Sequence, residues 1–252
     1  MLKAANISKI SFASLYKEQK SLSDFKSKSP NEWDKKANSF SDFKKHEIYV
    51  KEFLKRVNFK DCSSLLDFAC GSGFLAQYSN LDDITLCDFS SKMLEIAKQN
   101  CPNAKIINGS FDDLNGSWDL VYASRCLDVL DLESALKTLL KVCNKRLYFT
   151  YKIDNSYIHE KIINALDLDI IATPNYIYAA NILHELGYFF TLDKISIKNE
   201  NYYKDYESLK KSVEFSYKTL NPIQDEKLQE LFKNDKDLNK QELSWALFCV
   251  EK

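Results

Sequence analysis

Between residues 64 and 151 the chain alternates short apolar runs with stretches of helical periodicity. The runs occupy 64–69, 84–87, 104–107, 118–123 and 146–151. Each is short and mostly apolar at successive positions, the pattern of a strand covered on both faces. One acid, Asp67, interrupts the first run. Helical stretches fill the gaps. One starts at Phe74 after a glycine turn. A second follows Ser90, a natural N-cap, with Met93, Leu94, Ile96 and Ala97 apolar, and stops at Cys101-Pro102-Asn103. A third covers 132–142. Strands alternating with helices at this spacing predict βαβ units, right-handed crossovers and a largely parallel α/β sheet.

The flanks differ in character. Residues 1–29 are rich in Ser and Lys and read as a short helix or an arm. Trp33, Ala37 and Phe40 share one helical face behind Pro30, and a second helix is expected around 46–57. Past the fifth run, 157–168 and 175–186 read as helices, closed by Gly187. Residues 188–197 read as a strand. Helices at 205–220 and 224–233 are split by Asn221-Pro222, and 243–250 is an apolar terminal strand. The expected organisation is an N-terminal helical cover over 1–60 and one α/β domain over 61–252, with a helical insertion at about 204–236.

Composition excludes several classes. With 252 residues, 45% hydrophobic and 28% charged, the chain is globular. Net charge is −1, and only Arg56, Arg125 and Arg146 are arginine. Arginine is the usual reader of phosphates and base edges, so composition does not support a nucleic-acid partner. The seven cysteines are odd in number and none pair as CxxC, which argues against a disulfide framework or a zinc ribbon and for a reducing cytoplasm. No run approaches the length of a membrane span, and no apolar signal segment opens the chain. The three histidines, His46, His159 and His184, form no metal-binding cluster with Cys or Asp in the sequence.

The most informative stretch is Asp67-Phe68-Ala69-Cys70-Gly71-Ser72-Gly73, with Asp88 after the next strand. Small residues at a strand-to-helix turn let backbone approach a ligand. The helix start offers N–H groups and a positive dipole end. An acid closing the second strand suits a ribose diol. Gly71-x-Gly73-x-x-Ala76 also fits the dinucleotide fingerprint. An acid at position 67 faces a pyrophosphate badly but attracts a sulfonium or an ammonium.

These residues resemble the first motif of the class I S-adenosylmethionine-dependent methyltransferases, with Ala69 standing where glycine is commoner. Asp88-Phe89-Ser90 with Met93-Leu94 is similar to the next motif. Asn108-Gly109-Ser110-Phe111-Asp112 is similar to the loop after strand three, and Trp118-Asp119-Leu120-Val121 to strand four. The resemblance covers residues 62–151 and extends to the reversed terminal hairpin. It implies a Rossmann-like seven-stranded sheet, mostly parallel with a reversed last strand and helices on both faces. It also implies S-adenosylmethionine as cofactor, with S-adenosylhomocysteine as product. By resemblance, Asp67 helps hold the methionine-end ammonium, and Ala69, Gly71 and Gly73 line the cofactor. Asp88 takes the ribose hydroxyls. Phe89 and Met93 flank adenine, while Ser110, Phe111 and Asp112 close its other side. Ser124, ending strand four, is a further contact.

The catalytic residue is left unassigned. Where some relatives carry a histidine base, this chain has Asp128, which is expected to cap or solvate a helix start. Arg125 is a possible receiver of a substrate carboxylate or phosphate, and Trp33 a possible part of a lid over the cofactor. Cys70 and Cys87 read as small buried groups. No Asn-Pro-Pro-Tyr or Asp-Pro-Pro-Tyr follows strand four, and no proline precedes Cys126. The expected acceptor is therefore a small molecule, methylated on O, N or C, with a monomer or homodimer equally compatible. The alternatives are a methyltransferase acting on RNA or protein, and a cofactor-binding protein without methyl transfer.

Overall fold

The computed structural model describes residues 10–22, 27–199 and 202–252. Residues 1–9 and 23–26 of the expected N-terminal cover lie outside the described residues, as do 200–201. Seven strands form one sheet: β1 (Ser64–Phe68), β2 (Asp83–Asp88), β3 (Lys105–Asn108), β4 (Trp118–Ala123), β5 (Cys143–Lys152), β6 (Thr191–Asn199) and β7 (Gln241–Glu251). Their order is β3-β2-β1-β4-β5-β7-β6. β1 to β5 pair in parallel, and β7 runs antiparallel to both β5 and β6. The sheet is thus the expected one, with its last strand reversed.

Side-chain alternation divides the core in two. Leu66, Val121, Leu147 and Phe149 point to one face. There they meet α1 (Phe12–Leu22), α7 (Leu132–Val142) and α9 (Tyr176–Glu185). Leu65, Leu120, Tyr122 and Tyr148 point to the other. That face is covered by α4 (Glu47–Leu54), α5 (Phe74–Gln77) and α6 (Ser91–Asn100). A third cluster joins α8 (Glu160–Leu166), α10 (Tyr206–Ser216) and α11 (Pro222–Asn234) through Ile162, Leu209, Val213 and Leu228. Among the described residues no helix is long and apolar enough to cross a membrane.

The expected helix behind Pro30 is two short ones, α2 (Pro30–Asp34) and α3 (Ala37–Phe40). Between them the chain tightens to an i→i+3 turn, Lys36 N–H donating to Trp33 O at 2.9 Å. α4 is likewise shorter than expected, ending at Leu54, and β6 starts at Thr191 rather than at 188.

Candidate active site at the carboxyl ends of the strands

The chain leaves β1 through three left-handed residues: Ala69 at φ +52°, Gly71 at +54° and Gly73 at +74°. The two glycines serve different ends. A Cβ built on Gly71 meets nothing within 4 Å, so this backbone faces open space. A Cβ on Gly73 would lie 3.1 Å from Ala97 Cβ, so this glycine lets α5 begin against α6. Ala69 takes the same conformation with a side chain, at a cost of roughly 1–2 kcal/mol. The turn is pinned to β2 by Cys70 N–H donating to Cys87 O at 3.0 Å.

Two carboxylates flank the turn. Asp88 closes β2. Its Oδ2 accepts from Gly71 N–H and its Oδ1 from Ser90 N–H, both at 2.9 Å. Burial pushes its pKa up, and those backbone donors pull it back. Asp67 is only 2% exposed. Burial pushes its carboxyl up to about 7, with the Ala76 backbone N–H acting the other way. Its Oδ2 is buried without a hydrogen-bond partner among the described residues. A buried acceptor in that condition favours a cationic or hydrogen-donating ligand.

The remaining expected residues gather beside these. Phe89 follows Asp88 and is half-buried, and Met93 is buried in the first turn of α6. Past β3, Gly109 N–H donates to Asp88 O at 3.1 Å, which seats the next loop against the same strand end. Ser110 N–H is capped by Asp113 Oδ2 at 2.8 Å, and Phe111 packs on Phe68 with centroids 4.4 Å apart. Asp112 lies exposed on that turn. Ser124 Oγ lies 2.6 Å from the hydroxyl of Tyr49 on α4.

Sequence reasoning did not single out the contacts from above. Asp34, at the end of α2, accepts from Ser90 Oγ at 2.6 Å and from Lys92 N–H at 3.3 Å. Phe40 O accepts from Ser72 Oγ at 2.8 Å. The Trp33 ring packs edge-on to Phe40. His46 stacks on Phe40 at 5.6 Å, and its Nε2 is buried without a partner among the described residues. Burial, then the charge of Arg125, pushes its pKa down to about 4. It is therefore neutral at physiological pH. No sequence signal marks Asp34, since it acts on residues far along the chain.

Comparison with known proteins bears on this site. Residues 65–146 match the family model of the methyltransferase domain. The stretch that carries the cofactor turn is thus similar to a methyltransferase domain. An uncharacterized protein of Haemophilus influenzae is 27% identical over 259 residues, spanning 94% of this chain and 95% of that protein. A putative methyltransferase of Bacillus halodurans C-125 shares the fold at a TM-score of 0.56 and 11% identity, covering 81% of this chain and 98% of its own. So does the plantazolicin methyltransferase BamL, solved with a triazolic desmethylPZN analog and SAH: TM-score 0.56, 13% identity, 96% and 99% covered.

Beyond the glycine turn, the chain carries a second polar cluster past β4 and β5. Asp128 does not cap a helix. Asp131 caps α7, accepting from Ser134 N–H at 3.1 Å. Asp128 instead pairs with Lys20 of α1 at 2.5 Å and accepts from Tyr157 OH at 2.9 Å. Lys20 reaches it from a fully buried position. Lys152 ends β5, bonds Thr173 Oγ1 and lies 4.4 Å from the Tyr157 ring centroid. Arg125 has φ +56° and lays its guanidinium 4.1 Å from the Tyr49 ring centroid. His159 caps α8 through Nδ1, and His184 is exposed. Burial pushes the Cys87 thiol up to about 12, and those of Cys70 and Cys126 upward too. Thiols held protonated are poor nucleophiles. Among the described residues no His, Cys, Asp and Glu group is placed to hold a metal ion.

Proposed function

We propose that this chain is a methyltransferase that transfers the methyl group of S-adenosylmethionine to a small molecule. Two features of the chain fit the cofactor: the unpartnered Oδ2 of Asp67 and the open face of Gly71. In this reading Asp67 faces the methionine-end ammonium, and Ala69, Gly71 and Gly73 line the cofactor. Asp88 receives the ribose hydroxyls with the lone pairs its backbone donors leave over. Phe89 and Met93 flank adenine on one side, with Ser110, Phe111 and Asp112 on the other, and Ser124 touches the cofactor from β4. The cofactor supplies a methyl carbon already activated by its sulfonium. The protein's work is to align the acceptor for in-line attack and to exclude water.

The observation that carries the small-molecule reading is the roof. α2 and α3 are bonded onto the cofactor turn through Asp34 and Phe40, which narrows access from above. Lys28 and Lys36, on either side of α2, lean on Phe215 of α10, so α10 packs against this N-terminal segment. An RNA or protein acceptor is the alternative, and it needs a broader opening. The test uses methyl-labelled S-adenosylmethionine and an extract of the source cells, split into a low-mass filtrate and a macromolecular fraction. The label is expected in the filtrate. Label confined to RNA or protein would overturn this reading.

A further inference from the structure

We infer that the Arg125 guanidinium, laid on Tyr49 beside Trp245, receives a carboxylate of the methyl acceptor. The word acceptor rests on the methyl-transfer reading above; the carboxylate site does not. The first observation is an unanswered charge. The chain has three arginines. Arg56 pairs with Glu52 and Asp193, and Arg146 with Glu251. Arg125 is exposed, and its side chain has neither an ion pair nor a hydrogen bond among the described residues. A guanidinium carries its donors in a planar fork that fits the two oxygens of a carboxylate.

The second observation is how this guanidinium is held. The backbone of Arg125 is left-handed, at φ +56°, a conformation a side chain rarely takes. Its N–H donates to Oγ1 of the buried Thr150 on β5 at 2.9 Å. Its guanidinium carbon lies 4.1 Å from the Tyr49 ring centroid and 5.8 Å from that of Trp245. Those two rings meet edge to face at 5.1 Å. Tyr49 is buried, and its hydroxyl is tied to Ser124 and to the same Thr150. One threonine thus fixes both the backbone of Arg125 and the ring beneath its charge. A side chain ordered before its ligand arrives loses less entropy on binding. His46 precedes Tyr49 by three residues at the start of α4, so the two share a helix face. Its buried Nε2 lacks a partner among the described residues. The charge of Arg125 helps keep this imidazole neutral. In its Nε2–H tautomer it offers a carboxylate oxygen a further donor without a second charge.

The third observation is position. Open α/β sheets bind ligands beyond the carboxyl ends of their strands. Arg125 follows β4, and Trp245 on β7 pairs in register with Lys152, the last residue of β5. The guanidinium therefore leans toward the carboxyl end of β5. The glycine turn follows β1, on the other side of β4. A group held by Arg125 belongs to a molecule seated beside the cofactor. The count of charges selects its chemistry. A carboxylate brings one negative charge, whereas a phosphate monoester brings about 1.5 to 2 near neutral pH. Among the described residues no second cation stacks on Tyr49 or Trp245, so one guanidinium answers one carboxylate.

The test titrates sodium benzoate into the full chain, with and without S-adenosylhomocysteine, and follows the broadening of the benzoate proton resonances. Benzamide, its uncharged analogue, and phenyl phosphate are titrated alongside at constant ionic strength. Arg125→Gln removes the guanidinium. Lys105→Gln removes an exposed charge at the amino end of β3, the far end of the strands, as the control. Affinities for S-adenosylhomocysteine and for methylthioadenosine, which lacks the amino-acid end, are measured by calorimetry in wild type and Arg125→Gln. Saturable benzoate binding is expected in wild type and Lys105→Gln, weakened about tenfold or more in Arg125→Gln, the worth of a hydrogen-bonded charge. Benzamide should not saturate, phenyl phosphate should bind more weakly than benzoate, and S-adenosylhomocysteine affinity should stay within about twofold. No saturable benzoate binding, or equal binding in Arg125→Gln, or equal binding of benzamide, would overturn the site. Tighter binding of phenyl phosphate would overturn the choice of carboxylate. Loss of S-adenosylhomocysteine affinity in Arg125→Gln, with methylthioadenosine affinity unchanged, would give the guanidinium to the cofactor's own carboxylate and overturn its role toward an acceptor. Failure of the wild type to bind S-adenosylhomocysteine, with benzoate binding intact, would sink the methyl-transfer reading and leave the carboxylate site standing.

Discussion

Asp67 shows how a single buried carboxyl connects stability to binding. Its folded pKa lies above the ordinary carboxylate range, at about 7, because burial disfavours the charge. The folded state therefore holds its proton more tightly than the unfolded chain. The stability this group contributes is complete at acid pH and is lost as pH rises through about 7. A cationic ligand at Oδ2 favours the ionised form, so cofactor affinity should rise over the same range. We expect calorimetric affinity for S-adenosylhomocysteine to strengthen several-fold from about pH 6 to pH 7.5. Asp67→Asn should bind weakly and without that slope; an unchanged slope in the variant would contradict the assignment. The turn beside it makes a second prediction. Ala69→Gly removes a left-handed side chain and should raise stability by up to ~1 kcal/mol. Gly73→Ala should lower it by about 1–2 kcal/mol or more, since strain adds to the contact with Ala97. Chemical denaturation of both variants checks this. The acids and glycines of the turn were legible because each residue type answers a local demand of backbone or charge. Asp34, His46 and Lys152 were not. The Asp34–Ser90 bond, for one, joins positions 56 residues apart, and nothing local to Asp34 announces it.

At the scale of elements, α2 to α4 tie the N-terminal segment to the sheet edge by a few polar bonds over an aromatic base. Asp34→Ala removes the acceptor for Ser90 Oγ while leaving the hydrophobic core untouched. Cofactor affinity should fall about five- to tenfold, about 1 kcal/mol, the net worth of one ordinary hydrogen bond. The melting temperature should move by no more than about 2 °C. A large drop in melting temperature would show instead that Asp34 holds the fold. Tyr49 is buried with its hydroxyl 2.6 Å from Ser124 and 3.2 Å from Thr150, between β4 and β5. Tyr49→Phe should cost about 1–2 kcal/mol in denaturation, because the hydroxyls it leaves behind lose a partner. The strands and long helices were legible from periodicity alone. The break between α2 and α3 was not. Trp33, Ala37 and Phe40 keep helical spacing across it, and no residue type between them marks the i→i+3 turn at Lys36.

The whole molecule depends on its last strand. β7 pairs along its length with β5 on one side and β6 on the other, and it supplies Phe248 and Val250 to one core and Leu247 to the other. A chain truncated before Gln241 should lack a cooperative unfolding transition, as read by circular dichroism on heating. The alternation of strands and helices made the sheet legible, because a parallel sheet covered on both faces admits few sequence patterns. The third core, under α8, α10 and α11, was not foreseen, since it is assembled from segments separated by β6. The identity of the ligand at the carboxyl ends of β1 and β2 is tested most directly by calorimetric titration of the full chain with S-adenosylmethionine, S-adenosylhomocysteine and NAD, with Asp88→Ala alongside. Micromolar binding of both sulfur nucleosides, about −8 kcal/mol, no binding of NAD, and a large loss in the variant are predicted. Binding of NAD alone would contradict it.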